Sequence, residues 1–390
     1  MTTDILAETL FWLAVGLLFY TYALYPLLLA GLARLRPPLI VEEAGAGDLP
    51  FVSVVVAARD EEAVIPHKLA NCRALDYPAD RIEFLFGSDG SRDRTAELLR
   101  EQGGANMRLW AFERQRGKAA VLNDLIPQAR GSLVVFSDAN SLFEPEAVRR
   151  LARHFANPRV GGVCGKLALR SNGPSQKPAG ANESLYWRYE SFIKHLEGQL
   201  GILASANGAI YAVRRHLVRR LPTHRPIADD LVIAAGVLLQ GLAMTFEPGA
   251  VAYETTADNV RDDLRRKVRV GEISYNALPL IAPLLWPSRG LAALMLWSHK
   301  IIRWTGPLWL GLALGASAWL WREAFYGFSL LAQLGAYAAA VAGFFLEPRG
   351  AMPRWLTFPY YFAGANLALM LGLLRSLTRR GEATWTRAGR

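Results

Sequence analysis

The chain has 390 residues, of which 52% are apolar and 20% charged, and its formal net charge is +10. This apolar content excludes a disordered chain, because enough side chain can be buried to offset the entropy lost on folding. With two cysteines, Cys72 and Cys164, the chain cannot build a disulfide framework, which predicts a reducing compartment.

Apolar residues are concentrated in stretches that contain no charged residue. Each stretch approaches the length of a bilayer crossing, roughly 18 to 25 residues. The first lacks both the basic start and the small-residue cleavage site of a signal peptide, so we expect a retained transmembrane anchor. A buried core helix is the alternative for any single stretch. The four stretches are Thr9–Ala33, Trp304–Trp321, Ala324–Leu346 and Trp355–Leu374.

Basic residues predict the orientation of these stretches. The first eight residues carry two acidic residues and no Lys or Arg, whereas Arg34 and Arg36 directly follow the first stretch. By the positive-inside rule the N-terminus lies outside and the region after the first stretch lies in the cytoplasm. The C-terminal tail is also rich in Arg and should be cytoplasmic. Three crossings and one interfacial element satisfy both ends, and we expect Trp355–Leu374, interrupted by Pro359, to be interfacial.

The region between the first two apolar stretches has the composition of a soluble domain. Its β-branched and apolar runs predict strands that alternate with helices, at Ile65–Leu75 and Ala96–Glu101. Strand, crossover helix and strand in this order predict an α/β fold whose mostly parallel sheet is covered on both faces. The predicted strands are Val52–Ala57, Ile82–Phe86, Arg108–Phe112 and Leu133–Ser137.

Polar residues follow three of these strands, at Arg59–Glu62, Ser88–Asp93 and Asp138–Asn140. Each alone is explained equally well by a solvated turn or a helix cap. Together they mark one sheet edge, where ligands bind in such folds. The sequence has no G-x-G-x-x-G or Walker motif after the strands, so neither a dinucleotide nor a Walker phosphate site is indicated. Carboxylates there suit ribose hydroxyls, a base and a divalent metal on a diphosphate.

The order and spacing of six motifs resemble those of family 2 glycosyltransferases. The similarity is to the membrane-embedded branch, which includes cellulose, hyaluronan and poly-N-acetylglucosamine synthases, and it extends over about residues 1 to 310. It implies a GT-A catalytic domain with transmembrane and interfacial helices, in the bacterial inner (plasma) membrane with the catalytic domain cytoplasmic. The motifs are VSVVVAARDEE (52–62), SDGSRDRT (88–95), RGKAAVLN (116–123), SDANS (137–141), ANGAIY (206–211) and ADD (228–230).

Together with the apolar stretches, the resemblance divides the chain into five segments. They are an N-terminal transmembrane helix over 1–36, the cytoplasmic GT-A domain over 50–256, amphipathic interface helices over 257–302, two transmembrane helices over 303–346, and, over 347–390, a third hydrophobic helix that is either interfacial or transmembrane, with a basic cytoplasmic tail.

The resemblance assigns the donor site residue by residue. Ala58, Arg59 and Glu61 match the loop that holds the base, and Asp89 matches the carboxylate on the nucleoside. Lys118 matches the lysine on the donor side, where a cation beside a diphosphate is physically sensible.

Asp138 and Asn140 occupy the family's D-x-D metal site. Asn140 places a neutral amide oxygen where the family has a second carboxylate. The resemblance still implies magnesium or manganese, because the leaving diphosphate needs its charge neutralised.

The resemblance assigns catalysis to Asp230, with Asp229 beside it and with Asn207 and Gly208 on the acceptor side. Asp230 would remove the acceptor proton as the oxygen attacks the anomeric carbon, and a single displacement gives inversion. A helix N-cap is the alternative reading of the two aspartates. From residue types alone, a glycosidase with two carboxylates is also open, but it needs no nucleotide pocket.

An amphipathic, basic segment over Val260–Ala277 follows the catalytic domain. The family has Q-x-x-R-W there, and the matching positions give Arg266 and Arg269 a diphosphate-binding role. The glutamine and the tryptophan are absent, which puts long-chain processivity in doubt. Near the C-terminus, Trp385 and Arg387 resemble the family's W-G-T-R gating element.

Ser298–Trp304 places three basic residues before the second apolar stretch. No second ligand lies at metal spacing from His299, so we expect His299, Lys300 and Arg303 to snorkel at the cytoplasmic interface. The net positive charge of the chain is thus explained by contacts with the membrane surface and with a diphosphate. Nucleic acid is not an expected partner, because the soluble region shows no basic face interleaved with aromatic residues.

These observations predict an inverting, metal-dependent hexosyltransferase that uses a nucleotide-diphosphate sugar, with UDP as the expected nucleotide. The leading acceptor is a growing polysaccharide, which the protein would also help to move across the membrane. The expected partners are membrane lipids and other polysaccharide-export proteins. The alternative is a transferase that adds one sugar to a lipid-linked acceptor. A sugar nucleotidyltransferase would have the same kind of sheet and metal site, but it would not need membrane-spanning segments.

Overall fold

The computed structural model describes residues 2–36, 49–170, 178–255, 260–347 and 352–378. Within these ranges, an α/β domain is built on a mixed sheet of eight strands. The strands are β1 (Val52–Ala58), β2 (Ile82–Asp89), β3 (Met107–Phe112), β4 (Leu133–Asp138), β5 (Leu142–Phe143), β6 (Val160–Arg170), β7 (Tyr211–Arg214) and β8 (Ala243–Thr255). All of them fall inside the predicted 50–256 domain, whose boundaries stay a prediction.

The sheet has a parallel half and a mixed half, in the order β3-β2-β1-β4-β7-β6-β8-β5. Strands β3, β2, β1 and β4 are parallel to one another. Strand β7 is antiparallel to both β4 and β6, while β6 is parallel to β8 and β5 is antiparallel to β8. The predicted α/β fold with a mostly parallel sheet is confirmed, and each of its four predicted strands is present.

Helices cover both faces of the sheet. Val54 and Val56 of β1 point into one core, while Val55 and Ala57 point into the other, and all four are almost fully buried. A continuous apolar strand is expected when both faces of a parallel sheet are covered. The helices of this domain are α3 (Ile65–Arg73), α4 (Thr95–Gln102), α5 (Lys118–Leu125), α6 (Ala147–Arg153), α7 (Pro178–Gln199) and α8 (Asp229–Leu239).

The remaining helices form the apolar part of the chain. A π-helical turn over Tyr20–Leu24 joins the first two helices, and another over Leu296–Ile301 joins the fourth and fifth. Large apolar side chains such as Phe19 and Phe328 are exposed here, as expected of a surface that faces lipid. The helices are α1 (Thr2–Phe19), α2 (Tyr25–Leu35), α9 (Val260–Ile281), α10 (Leu291–Met295), α11 (Ile302–Trp304), α12 (Gly306–Trp319), α13 (Ala324–Leu346) and α14 (Arg354–Thr378).

Three helical segments in the described ranges are long and apolar enough to cross a membrane. They are the continuous Thr2–Leu35, α13 and α14. Helix α12 has only 14 residues, about 21 Å at 1.5 Å per residue, which is less than a hydrocarbon core of about 30 Å. The predicted Trp304–Trp321 stretch is therefore not one helix of crossing length, because a turn at Thr305 precedes a new start with Pro307 in its first turn.

Helix α14 is continuous, whereas the sequence predicted an interruption at Pro359. Pro359 lies inside the helix and does not break it. A proline five residues after the helix start removes only a bond to a carbonyl of the first turn, and the helix continues through that point.

One end of the apolar helices is held together by polar contacts of aromatic side chains. The indole N–H of Trp319, at the end of α12, donates to Asp4 of α1 over 3.1 Å. The indole N–H of Trp12 donates to the hydroxyl of Tyr326 over 3.2 Å. The start of α1, the end of α12 and the start of α13 therefore lie at the same end of this helix group.

Helix α14 contacts the opposite end of that group. Asn366 lies against Gly306, the first residue of α12, and Tyr360 lies against Gly343, near the end of α13. The C-terminal half of α14 packs along α9, where Gly372 meets Gly271. Helix α14 thus lies beside α9, the basic amphipathic helix, and at the ends of α12 and α13.

Substituting Gly372 with alanine should separate α14 from α9. A Cβ at this position would lie 2.8 Å from the Glu272 nitrogen and 3.0 Å from the Gly271 Cα, so backbone would have to move. We expect a loss of roughly 1 to 3 kcal/mol, seen as a lower melting temperature of the purified protein in detergent. Gly335→Ala on α13, where nothing lies within 4 Å of the added Cβ, is the control. Equal melting temperatures for the two variants would contradict this packing.

Candidate active site

Two loops at the carboxyl edge of the sheet are tied to each other by hydrogen bonds. Ala58 ends β1 and pairs in register with Ser88 of β2. Beyond them, the Glu61 N–H donates to Thr95 Oγ1 over 2.7 Å, and the Arg92 N–H donates to Asp60 Oδ1 over 2.7 Å. The predicted base-binding loop is therefore fixed against the loop that follows β2.

Arg59 and Asp60 shape the exposed side of this edge. The Arg59 guanidinium lies 3.6 Å from Asp60 Oδ2, and its side chain is only 17% exposed. Asp60 has φ near +51°, a left-handed conformation that Asp tolerates better than most residues do. The structure brings Ala58, Arg59 and Glu61 to one edge, as predicted. Their contact with a base stays a prediction.

Asp89 is fully buried and holds the loop that leads into α5. Its two oxygens accept the backbone N–H groups of Arg116 and Gly117, over 2.7 and 2.9 Å. Gly117 has φ +90°, which favours glycine, and it directly precedes Lys118. Asp89 thus positions Lys118. Its predicted contact with the nucleoside is not tested by this arrangement.

Lys118 lies between two carboxylates. Its ammonium is 2.9 Å from Asp138 Oδ1 and 3.2 Å from Asp229 Oδ2. Burial alone would lower the pKa of Lys118, but the carboxylates of Asp138, Asp229 and Asp230 outweigh it and raise the pKa above its usual value. This lysine therefore carries its charge at any physiological pH.

Gly208 is the point at which these groups converge. A Cβ placed on Gly208 would lie 3.7 Å from Asp138 Oδ2, 3.8 Å from Asp230 Oδ2 and 4.0 Å from Lys118 Nζ. The sheet, α5, α8 and the segment before β7 each contribute one of these residues. Because glycine has no side chain, the cleft beside it is open to a ligand.

The two aspartates at the start of α8 differ in their surroundings. Asp229 is 8% exposed and faces Lys118, whereas Asp230 is less buried and accepts the Leu231 N–H at Oδ1 over 2.9 Å. Burial, followed by repulsion from Asp230 and Asp138, outweighs Lys118 and raises the pKa of Asp229 to about 6. Ala228 holds the N-cap position, so neither aspartate is the N-cap.

The predicted metal residues lie in the turn after β4. The Ser141 N–H donates to the Asp138 carbonyl over 3.2 Å, which closes a turn around the half-buried Asn140. Across the described ranges, no group of three or more His, Cys, Asp or Glu side chains is placed to hold a metal ion. The oxygens of Asp138 and Asn140 would need phosphate oxygens of a substrate to complete a coordination shell.

Helix α9 brings two arginines toward this edge. Burial lowers the pKa of Arg269, Asp138 raises it, and Arg266 lowers it further, which places Arg269 within the field of both residues. Val270 occupies the position of the family's tryptophan and is 49% exposed. The structure therefore brings Arg269 toward the site, with Arg266 beside it on α9, and offers no aromatic platform at the position of Val270. A contact of Arg266 with a diphosphate stays a prediction.

Asn207 is buried, and its side chain is used inside the protein. Its amide N–H donates to the Gly165 carbonyl over 2.7 Å, and its Oδ1 accepts a hydrogen bond from Lys194. Asn207 therefore braces Gly208 from behind. A contact between its side chain and an acceptor stays a prediction.

The support behind Asn207 extends to a buried ionic cluster that the sequence did not predict. Three residues on one face of α7, Glu190, Lys194 and Glu197, are each at most 5% exposed. His299 lies 2.7 Å from Glu197 and 3.2 Å from Glu190, and the Tyr25 hydroxyl donates to Glu197 over 2.9 Å.

This cluster overturns the expected snorkelling of the basic residues. His299 is 1% exposed, and Arg303 and Lys300 lie 3.2 and 3.6 Å from Glu190. They are paired inside the protein, because acidic side chains of α7 face them. The spacing of two glutamates and a lysine on α7 is typical of a solvated helix face. The pairing of these two segments could have been recognised in the sequence only from the opposite charges of α7 and the His299–Arg303 segment.

Tyr211 is a further residue near the carboxylates. Its ring is fully buried and stacks on Phe136 with 4.5 Å between centroids. Its hydroxyl has no hydrogen-bond partner among the described residues. Burial, Asp229, Asp230 and Asp138 raise the pKa of Tyr211 well above its usual value, so the phenol stays protonated.

The proposed gating residues Trp385 and Arg387 lie outside the described residues.

Asp229→Asn should raise the melting temperature at pH 8. The pKa of Asp229 is raised from its unfolded value to about 6, so the folded state prefers the neutral carboxyl, and stability falls as the pH rises from about 4 to 6. Asparagine mimics the neutral form, so its advantage should be largest above pH 6 and should vanish near pH 4. Melting curves of the parent, Asp229→Asn and Asp76→Asn across pH 4 to 8 would measure this, because Asp76 forms only an exposed pair with Arg149. An advantage of Asp229→Asn that did not change with pH would be inconsistent with the buried carboxylate.

Comparisons with known proteins agree with this architecture. Residues 53–219 match the family described as Glycosyl transferase family 2. The beta-monoglucosyldiacylglycerol synthase of Synechocystis is 34% identical over 137 residues, which cover 34% of this chain and 29% of that protein. The poly-beta-1,6-N-acetyl-D-glucosamine synthase of Staphylococcus aureus is 24% identical over 247 residues, which cover 62% of this chain and 58% of that protein.

A solved structure shows the same fold over nearly the whole chain. It is the mannosyltransferase PcManGT from Pyrobaculum calidifontis in complex with GDP-Man and Mn²⁺, with a TM-score of 0.69 and 20% identity over 96% of this chain and 99% of that one. The curated relatives are matched over about a third to three fifths of their length. The family match, over residues 53–219, includes the strands and loops that carry Asp89, Lys118 and Asp138. The chain therefore contains a family 2 glycosyltransferase domain with a GT-A-like fold, joined to apolar helices that are able to span a membrane.

Proposed function

We propose that this chain transfers a hexosyl group from a nucleotide-diphosphate sugar to an acceptor hydroxyl at the membrane surface, with inversion at the anomeric carbon. The convergence of Lys118, Asp138 and Asp230 on the open side of Gly208 carries the proposal. These groups lie at the carboxyl edge of the parallel half of the sheet, where such folds bind their ligands. The mannosyltransferase that shares the fold was solved with GDP-Man.

The cations of the site suit a diphosphate. Lys118, the first residue of α5, lies beside the carboxylates, and Arg269 of α9 lies within the field of Asp138 with Arg266 next to it. As the sugar leaves the diphosphate, negative charge grows on the phosphate oxygens, and fixed positive charges stabilise that change. Lys118 contributes a compact charge, and an arginine can contact two phosphate oxygens at once.

A divalent metal fits the same edge. Asp138 gives Oδ1 to Lys118 while Oδ2 faces Gly208, and Asn140 adds an amide oxygen in the same turn. An all-oxygen donor set with few protein ligands is typical of Mg²⁺ or Mn²⁺ bound with substrate phosphates. Bound there, the ion would neutralise charge on the diphosphate. The solved mannosyltransferase contains Mn²⁺.

Asp230 is the residue that we assign as the general base. Its Oδ2 faces the same point beside Gly208 as the donor-side groups, whereas Asp229 is paired with Lys118. A carboxylate beside the acceptor hydroxyl would accept its proton as the oxygen attacks the face opposite the diphosphate. Asp229, Lys118 and Asp89 would position the site and set its charge.

Of the two acceptors that the sequence leaves open, we propose the lipid-linked one, with a single sugar added. Val270 supplies no aromatic surface on which a sugar chain could stack. The relative from Synechocystis is named a beta-monoglucosyldiacylglycerol synthase. A growing polysaccharide is the competing acceptor, and gel-resolved product length distinguishes the two.

Asp230→Asn should lower kcat by about 10² to 10⁴ while the affinity for the donor stays within about twofold of the parent. The amide keeps the shape of the side chain but cannot accept the proton. Transfer would be followed with radiolabelled UDP- and GDP-sugars on purified protein, with donor affinity measured by calorimetry. Asp76→Asn is the surface control. Full transfer by Asp230→Asn would show that another group is the base.

We further propose that α1, α13 and the combined segment of α11 and α12 cross the membrane, and that α14 lies along its cytoplasmic face. Helices α11 and α12 follow each other end to end over residues 302–319, which is about 27 Å at 1.5 Å per residue and close to the thickness of a hydrocarbon core. The support is that α14 contacts α12 and α13 at the ends opposite to Asp4 and Trp319, and that it packs along the basic helix α9.

A reporter fused after Arg390 tests this arrangement. A fluorescent protein, which folds in the cytoplasm, should be active there, and a phosphatase, which needs the periplasm, should be inactive. The same pair of reporters inserted in the loop at Arg322, between α12 and α13, should give the opposite result and serves as the matched control. A phosphatase active after Arg390 would place α14 across the membrane.

A further inference from the structure

The apolar helices α9, α12, α13 and α14 line a partly open cavity of about 600 Å³. We propose that this cavity binds the acyl chain of the acceptor lipid. The inference rests on the proposed function and adds the place where the lipid is held. Ligand cavities in proteins commonly have volumes of about 300 to 1,000 Å³, so this one has a size suitable for a chain.

The lining determines which ligand the cavity favours. Its walls are almost entirely apolar, with Leu310 from α12, Val341 and Phe344 from α13, and Leu367 and Met370 from α14. A sugar chain placed there would lose its hydrogen bonds to water and find few replacements. An acyl chain would exchange lipid for side chains of equal polarity and fill the space by dispersion contacts.

The wall also contains polar side chains, and two of them, Asn366 and Lys267, suit the polar end of a lipid. Asn366 is 7% exposed, and its Oδ1 accepts no hydrogen bond from any described residue, although its N–H donates to the Phe362 carbonyl. A buried oxygen of this kind favours a ligand with a hydroxyl or another donor. Lys267 lies over the ring of Tyr361 at 4.9 Å and adds a positive charge that suits an ester carbonyl or a phosphate.

Helix α9 connects the cavity with the catalytic edge. Leu264 and Lys267 line the cavity, while Arg269 of the same helix lies in the field of Asp138. Helix α9 also contacts the start of the helix that carries Asp230, because the Ala228 N–H donates to the Ile273 carbonyl over 3.1 Å. Helix α9 therefore touches both the cavity and the site. A lipid whose chain lies in the cavity would have its head group within reach of Asp230, so we assign the occupant as a hydroxyl-bearing acyl lipid.

The chain offers a direct way to fill the cavity. Gly311 and Gly364 both line it, and a Cβ on either meets nothing within 4 Å. Leucine at these positions should enter the cavity without disturbing the protein. Gly335 on α13 also has open space around it but is not part of the lining, so Gly335→Leu is a matched control.

Binding is tested first, without any sugar donor. The probe is a diacylglycerol with a diazirine in one acyl chain, mixed into phosphatidylcholine vesicles that contain the full-length protein. After irradiation, we expect labelled peptides from α12, α13 or α14, and at least fivefold less labelling there in Gly311→Leu and Gly364→Leu, with Gly335→Leu like the parent. Labelling that is spread over the outer faces of these helices and does not change in the filled variants would overturn the proposal.

Transfer separates failure of the cavity from failure of the proposed function. Long-chain dioleoylglycerol and short-chain dihexanoylglycerol are compared as acceptors. We expect the filled variants to raise the KM for the long chain at least tenfold, with little change for the short chain or in donor affinity. A parent that transfers sugar to dioleoylglycerol while filled variants match it would reject the cavity and keep the function. A parent that carries the label but makes only sugar polymer would instead reject the lipid acceptor.

Discussion

The ammonium group of Lys118 holds the catalytic edge together. Asp138, Asp229 and Asp230 come from β4 and α8, and three carboxylates beside one glycine would repel one another in a partly dry cleft. Lys118, paired with two of them, offsets that repulsion. Its own place is fixed from behind, because Asp89 binds the backbone of the two residues before it. Lys118 does not offset everything: burial first, and then repulsion from Asp230 and Asp138, still raise the pKa of Asp229 to about 6. An incoming diphosphate would add negative charge, which explains why further cations stand nearby on α9.

A second charged group connects the domain with the membrane helices. Glu190 and Glu197 of α7 meet His299, Lys300 and Arg303 in the interior, where unpaired charges would be strongly destabilising. Burial would raise the pKa of Glu190, but its interactions with His299, Lys300 and Arg303 lower it well below its usual value. Lys194 of the same helix donates a hydrogen bond to Asn207, which precedes Gly208. A shift of the apolar helices relative to α7 would therefore displace the backbone at Gly208. The candidate active site is thus connected through α7 to the apolar helices.

The parallel half of the sheet could be predicted because its signal is local. Strand β1 is a continuous β-branched run, and the polar loops after β1, β2 and β4 follow from where parallel strands end. The mixed half could not be predicted in this way, since β6 contains three glycines and its pairing with β7 and β8 depends on distant residues. Sequence motifs identified the site residues, but only the geometry of the structure showed which contacts each of them makes. Asp89 turned out to hold a loop, Asn207 to brace a neighbour, and His299 to be buried, because side-chain partners far apart in sequence decide such roles.

The N-terminal helical segment has a consequence for the height of the active site. Thr2–Leu35 is continuous through its π-helical turn and is about 50 Å long at 1.5 Å per residue. A hydrocarbon core takes up about 30 Å of that length. In the proposed topology, the rest projects beyond the bilayer, and its Tyr25 and Leu29 are buried against the catalytic domain. Such a segment works as a rigid spacer: it sets a constant distance between the bilayer and the cleft beside Gly208. An acceptor must therefore extend its hydroxyl to that level, and the length of its head group becomes a criterion for selection.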